Sequence, residues 1–260
     1  MKNKQTALKY KLPISAAALL FWLGVWAFLA WRVGQELLLP TPLQVWQSLC
    51  GLAQAAKFWQ TLGLTLSRIL AGCAIGMGLG VLLGFLTGVS HVLDIFLRPL
   101  VAVAQSTPVA SLIILALVWL RKESVPVFAA ALMTAPGLLH NTRQGIAETP
   151  RELREMVRIF CVKPGKQLRM LYLPQVLPYV LSGCAGAIGF GWKAGVAAEV
   201  LSVPRQAVGT ELYHSKLYLD SPALFAWTAA VVILSVLLEA AVKLALRQIR
   251  GKKGEEGRND

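Results

Sequence analysis

Charge is scarce in this sequence. Of its 260 residues only 15% are Asp, Glu, Lys or Arg, and the mean hydropathy is +0.58. A soluble helical protein of this size carries charge on every helix, so the scarcity excludes an ordinary soluble globular domain. Acidic residues are the scarcer sign, 13 against 26 basic ones. No Gly-x-x-x-x-Gly-Lys-Ser/Thr loop occurs, which removes the Walker type of nucleotide site. Ten-residue segments of alternating polarity are missing too, and with them a transmembrane β-barrel. The four cysteines, Cys50, Cys73, Cys161 and Cys184, stand far apart without CxxC or Cys/His spacing. They read as packing residues, and no metal site is expected. His91, His140 and His214 are scattered over different loops or span ends, so a membrane-embedded enzyme lacks its cluster. An ion-coupled secondary transporter stays as the alternative transport class, although the internal repeat it calls for is not visible.

What is present is apolar length. Six stretches between charges or histidines are candidates for crossing a bilayer: Leu12–Trp31, Ile69–Ser90, Pro99–Leu120, Ser124–Leu139, Met170–Trp192 and Ser221–Leu238. About 20 residues of helix cover the hydrocarbon core, and a helix satisfies its own backbone there. The expectation is an all-α integral membrane protein of about six spans. Lys2, Lys4, Lys9 and Lys11 precede the first stretch as in a secretion signal. Its length, and bulky Trp26, Phe28, Trp31 and Arg32 near its end, instead predict a retained span. With the N-terminus inside, 18 of the 26 Lys and Arg fall on inner segments, 6 on outer ones and 2 within spans. The positive-inside rule therefore puts both termini in the cytoplasm of a multi-pass protein of the cell membrane. The excess positive charge faces anionic lipid, and no nucleic-acid partner is needed to account for it.

The expected organisation is a cytoplasmic N-terminus over 1–11, one transmembrane domain over 12–249 and a disordered tail over 250–260. Leu39-Pro40-Thr41-Pro42 closes the first span, and Leu43–Phe58 reads as an amphipathic stretch at the outer interface. Gly72, Gly76, Gly80, Gly84 and Gly88 line one face of the second span at strict i, i+4 spacing. Close helix packing is the plain reading of that stripe, and a solute-lining groove is the other. Thr107-Pro108 and Pro136-Gly137 can each kink a span.

The longest hydrophilic stretch between spans, 143–172, falls on the cytoplasmic side. Thr149-Pro150-Arg151-Glu152 has the form of a capping box, which predicts a helix from Pro150 to about Lys163. Leu153, Met156, Val157 and Phe160 make one apolar face, and Arg151, Arg154 and Arg158 a basic one. A second short helix is expected over Lys166–Tyr172. An interfacial helix on anionic lipid is one explanation of such a segment; docking to a protein partner is the reading its pattern favours.

At this point the residues resemble a known signature. Binding-protein-dependent ABC importer permeases carry Glu-Ala-Ala, three residues, Gly, nine residues, Ile, one residue, Leu-Pro. Anchored on Leu173-Pro174, the pattern puts Leu171 at the Ile position, Cys161 at the Gly position and Glu155-Met156-Val157 at Glu-Ala-Ala, with Pro178 as the further proline. Met, Val and Cys are departures from the pattern. Leu64-Thr65-Leu66-Ser67-Arg68 and 192–200 are also similar to the permeases of nitrate, sulfonate, taurine and bicarbonate-type importers. The resemblance, over about 37–245, implies the type I importer fold and a coupling helix docked on an ABC ATPase subunit dimer. It implies a second copy of the permease, here as a homodimer, and an extracytoplasmic solute-binding protein. It places ATP and magnesium on the partner ATPase, with no cofactor on this chain. Leu153, Met156, Val157 and Phe160 are then the apolar residues at or beneath the coupling joint, and Glu155 and Arg158 its polar contacts. Cys161, Gly165, Leu173 and Pro174 complete that segment.

Lys193 and Glu199 lie in or near the fifth span, and ionisable groups there face protein or water. Six residues apart, they are about 120° out of alignment on one helix, which argues against a pair between them. Lys193 either attracts an anionic solute or pairs with another span. Glu199 either caps the pathway or braces a loop. With Trp192 they are the candidate pathway residues. Glu239 and Lys243 are expected as an i, i+4 pair.

Overall fold

A computed structural model describes residues 2–256, with side chains from residue 17 onward except at 164, 247 and 249–256. The side chains of the expected N-terminal segment 1–11, and residues 257–260 of the expected tail, lie outside that description. Every regular element among the described residues is helical. In order they are α1 (Lys2–Val33), α2 (Pro42–Gln54), α3 (Ala56–Val89), α4 (His91–Ser106), α5 (Val109–Trp119), α6 (Val125–Ala147), α7 (Arg151–Ile159), α8 (Pro164–Gln167), α9 (Leu173–Ser202), α10 (Val208–Leu217) and α11 (Ser221–Glu256).

The six apolar stretches are largely helical, with Pro99–Leu120 divided between α4 and α5, but among the described residues those on α1 and α6 are not long and apolar enough to cross a membrane alone. Three helical segments are long and apolar enough to cross a membrane alone: Ala56–Val89, Gly165–Ser202 and Ser221–Leu246. The helices α4 and α5, bent by 105° to one another, pass the same test only when taken together, as a broken span or a re-entrant loop. The bend sits at Thr107-Pro108. Proline offers no N–H and pushes the residue before it out of helical conformation, and Thr107 is indeed extended (φ −79°, ψ 133°). Its hydroxyl donates to the Val103 carbonyl at 2.7 Å, occupying an acceptor freed at the helix end. The other expected kink does not interrupt its helix, since α6 runs through Pro136 from Val125 to Ala147. The apolar part of α1 described here is shorter, residues 17–33.

Two expectations about boundaries need correction. The predicted helix over 166–172 is not separate from the fifth span. One helical path runs from Gly165 to Ser202, with a π-helical turn at Leu168–Tyr172 where it joins α9. The tail boundary at 249 falls inside α11, which extends to Glu256.

The chain forms two compact units. One comprises 1–59 and 211–231, the other 60–210 and 232–260. In the first, Trp26 stacks near Phe225 and donates its indole N–H to the Pro40 carbonyl at 3.1 Å. Phe58 meets Trp227 at 4.9 Å between ring centroids, and Lys57 pairs with Glu211 at 2.9 Å. The start of α2 is a complete capping box. Thr41 accepts from the Gln44 N–H while the Gln44 side chain accepts from the Thr41 N–H at 2.8 Å.

The second unit is built on α3, α6 and α9. The glycine stripe of α3 is buried from Gly72 to Gly84 and faces α6. A methyl on Gly72, Gly76, Gly80 or Gly84 would strike the carbonyl oxygens of Val127, Ala131, Ala135 and Leu139 in turn. Both helices therefore offer every fourth residue to the contact, and the backbones touch without intervening side chains. This decides the stripe's role as packing, not as a solute groove. On α9, Gly191 makes room for Cys73 and Thr134, and Gly195 for Ile69.

Candidate functional site

The segment 143–172 departs from its expected start. Thr149 is not the cap of α7; its buried hydroxyl donates backward to the Gly145 carbonyl of α6 at 3.3 Å. Pro150 takes the N-cap position without a side-chain bond, and the helix begins at Arg151. The same Thr-Pro-x-Glu/Gln signature thus forms a box at 41–44 and not at 149–152. The difference is that α6 continues to Ala147, so the Thr149 hydroxyl finds an acceptor one turn behind it.

The far end of α7 is explicit. Cys161 has φ 46°, the left-handed region. The Cys161 N–H donates to the Arg158 carbonyl, and the Val162 N–H to the Val157 carbonyl, both at 3.1 Å. That pair of bonds is the Schellman closure, whose left-handed residue is most often glycine. The position where the resembled signature carries Gly is therefore the left-handed C′ residue of this cap. Replacing Cys161→Gly is expected to stabilise the turn by about 1 kcal/mol, because an L side chain is disfavoured there by that order. Slower amide exchange across 156–163 than in the unmodified chain checks it, and faster exchange refutes it.

No residue of α7 is buried. Leu153 and Val157 are half-buried, whereas Met156 and Phe160 are exposed, Phe160 to 73%. Ile159, absent from the sequence reading, is exposed to 77%. The apolar residues thus divide into an inward pair, 153 and 157, and an outward trio, 156, 159 and 160. Glu155, Arg158, Cys161, Gly165, Leu173 and Pro174 are exposed as well. Behind the segment, Asp94 of α4 is buried and holds Arg98 at 2.8 Å and Arg143 of α6 at 2.5 Å. The ion pair fixes the end of α6 that leads into α7 through residues 148–150 alone.

Trp192, Lys193 and Glu199 do not converge. Trp192 is buried, with an indole N–H that has no partner. Glu199 is fully buried on α9 and gathers the 203–209 loop. Its Oε2 accepts from the Thr65 hydroxyl at 2.9 Å and the Gly209 N–H at 3.2 Å. Its Oε1 lies 3.8 Å from the Arg68 guanidinium, within ion-pair range but beyond a hydrogen bond. Arg68 in turn donates to the Arg205 and Gln206 carbonyls, and Thr65 accepts from the Val208 N–H. Val203 and Gln206 sit at positive φ inside this clasp. Of the two roles expected for Glu199, the contacts are those of a loop brace. Lys193 is exposed and makes no ion pair among the described residues. Glu239 and Lys243 pair as expected, at 2.5 Å.

Sequence reasoning missed Thr65, Arg68 and Asp94 as partners. Thr61, Thr65 and Ile69 are buried at four-residue spacing that runs into Cys73, beside the glycine stripe, and that was the available signal.

Comparison with known proteins bears on the whole arrangement. A family model described as a binding-protein-dependent transport system inner membrane component matches residues 76–251. A bicarbonate transport system permease protein of Synechococcus elongatus is 29% identical over 145 residues, covering 55% of this chain and 52% of that protein. The chain thus spans about half of that relative's length. A probable ABC transporter permease protein of Brucella melitensis is 26% identical over 81% of this chain and 86% of its own length. Among solved structures, a chain of the MetNI methionine ABC transporter in an inward-facing conformation is 19% identical. It covers 74% of this chain and 93% of its own, with a TM-score of 0.56, and so shares the fold.

Proposed function

The chain belongs to the family of binding-protein-dependent transport system inner membrane components, and from that membership we propose that it forms the solute pathway of an ABC importer powered by a separate ATPase. It is a non-catalytic permease subunit in a multi-pass membrane setting. In this reading two copies of the permease pair in the cell membrane with both termini cytoplasmic. A solute-binding protein delivers a small solute from outside, and ATP and magnesium are bound by the ATPase dimer.

The observation that carries the reading is α7, a nine-residue helix without a buried residue that presents Met156, Ile159 and Phe160 outward among charged neighbours. Apolar side chains on a short cytoplasmic helix are placed to enter a partner's groove. Closure of the ATPase dimer would move α7, and with it α6, as a rigid lever between inward- and outward-open states. Leu153 and Val157 hold α7 to the membrane unit, while Glu155 and Arg158 make polar contacts with the partner.

The test is co-purification with a co-expressed ABC ATPase subunit. Phe160→Asp is expected to weaken capture by about 30-fold, the effect of losing a central aromatic anchor worth about 2 kcal/mol. Gly78→Ala, on an open face of α3, should leave capture unchanged. Equal capture by Phe160→Asp and the unmodified chain would remove α7 from the joint.

A further inference from the structure

A groove of about 530 Å³ opens in the second unit, between the 77–85 stretch of α3 and the turn that leads into α9. Val81, Leu82 and Phe85 form one wall, and Leu168, Tyr172 and Val176 the other. Phe85 and Tyr172 meet edge to face at 5.8 Å between ring centroids. Leu82 and Leu168 are exposed, and no lining residue is charged. The second wall includes the π-helical turn at Leu168–Tyr172, a rare form that recurs at functional positions. Along the chain beside that wall the chemistry reverses. Lys163, Lys166 and Arg169 are exposed, and none pairs with a carboxylate among the described residues. No Asp or Glu occurs between Glu155 and Glu199.

We propose that this groove holds one acyl chain of an anionic phospholipid, whose phosphate is met by Lys166 and Arg169. The inference goes beyond the permease reading and needs only that α3 and α9 span a bilayer. The walls offer no charge and only the hydroxyls of Thr142, which is fully buried, and Tyr172. They lack the placed polar groups that fix a soluble ligand. Membrane depth supplies a different occupant, since α3 carries no charge from Ile69 to Ser90. Lipid tails are as apolar as the groove, so a tail gains little by leaving the bilayer for it. Selection among lipids therefore falls to the headgroup, and cations at the end of a span select an anionic one. Lys166 and Arg169 are three residues apart on the helical path that starts at Gly165, so their side chains are neighbours. A guanidinium beside an ammonium suits a phosphate group. The same cations argue against a second copy of this chain as the occupant. In a two-fold contact the patch would face itself, and three unpaired positive charges would meet three.

The experiment is native mass spectrometry of the full chain released from detergent, with phosphatidylglycerol or phosphatidylcholine of identical acyl chains added. A one-to-one phosphatidylglycerol complex is expected at concentrations that leave phosphatidylcholine unbound. Lys166→Gln with Arg169→Gln should weaken phosphatidylglycerol binding by about 30-fold, at about fivefold per surface charge. Leu82→Trp, which fills the groove while leaving the cations in place, should remove the one-to-one complex. Val81→Phe fills it from the same wall and should do likewise, and the unfolding temperature certifies that each variant is folded. The proposal is overturned if the two lipids bind alike, or if the double glutamine variant keeps the preference for phosphatidylglycerol. Retention of the lipid by a folded groove-filling variant overturns it too. So does a shift of the monomer–dimer distribution in Leu82→Trp with lipid retention unchanged, which would make the groove an interface between copies. No ATPase is present, so failure here leaves the importer reading standing, and failure of ATPase capture leaves the lipid site standing.

Discussion

Gly76→Ala should be among the most damaging single-methyl changes in this protein. An added Cβ at Gly76 would meet the Ala131 carbonyl oxygen, with the Ala131 Cα at 2.8 Å and its carbonyl carbon at 2.9 Å. All three are backbone atoms, so no rotamer change can make room. The helices must separate, and every contact along the stripe from Gly72 to Gly84 loosens with them. Overpacking of a tight interior costs about 1–3 kcal/mol, and the upper end applies where only backbone can yield. A lower unfolding temperature in detergent and loss of the monodisperse peak on size exclusion are expected. Gly78→Ala is the matched control: two residues along the same helix, nothing lies within 4 Å of its added methyl. That variant should be neutral or slightly more stable, because alanine is the better helix former by up to ~1 kcal/mol. If Gly76→Ala unfolds with Gly78→Ala, the close approach of α3 and α6 is not what holds this unit together.

The second large effect is expected at Glu199. Glu199→Leu leaves the Thr65 hydroxyl and Gly209 N–H without their acceptor and the Arg68 charge without its counter-ion. Removing one member of a buried charged network costs about 3–5 kcal/mol. Glu199→Gln keeps an acceptor oxygen for the two donors and loses only the charge opposite Arg68, so a smaller loss, of about 1–2 kcal/mol, should follow. The paired change Glu199→Leu with Arg68→Leu should recover part of the deficit, since the two residues are coupled. The readouts are thermal unfolding and protease sensitivity within residues 203–210. A Glu199→Leu protein with native protease resistance would show that the loop does not depend on the carboxylate.

Much of this arrangement was legible from local pattern. The i, i+4 glycines of α3 identified a bare face, and the opposing carbonyls of α6 carry the same period. Hydropathy located the helices that cross, and Thr107-Pro108 marked the sharp bend. The signature mapping put Cys161 where glycine is usual, and the left-handed cap supplies the physical reason for that usage. What escaped depended on contacts distant in sequence or on competition for a single group. Thr65 and Glu199 are 134 positions apart, and nothing local to either names the other. The intrahelical angle could separate Lys193 from Glu199 but could not find Arg68. At Thr149 the cap signature was sound, yet the nearer acceptor on α6 won the hydroxyl. In α7 a single apolar face was expected. Because the helix stops at Ile159 and Phe160 serves as its C-cap, the apolar residues split into an inward pair and an outward trio.

The stripe of α3 also carries phase. One residue gained or lost between Gly72 and Gly84 would turn all later glycines by about 100° round the axis and shift them by ~1.5 Å, presenting side chains to α6 in their place. Only insertions close to whole turns, such as four residues, would bring the later glycines back toward the same face. This helix can therefore diverge by substitution at outward positions such as Gly78 and Leu79 more readily than by gain or loss of one residue. Gain and loss of single residues between related chains are expected to fall in segments outside it.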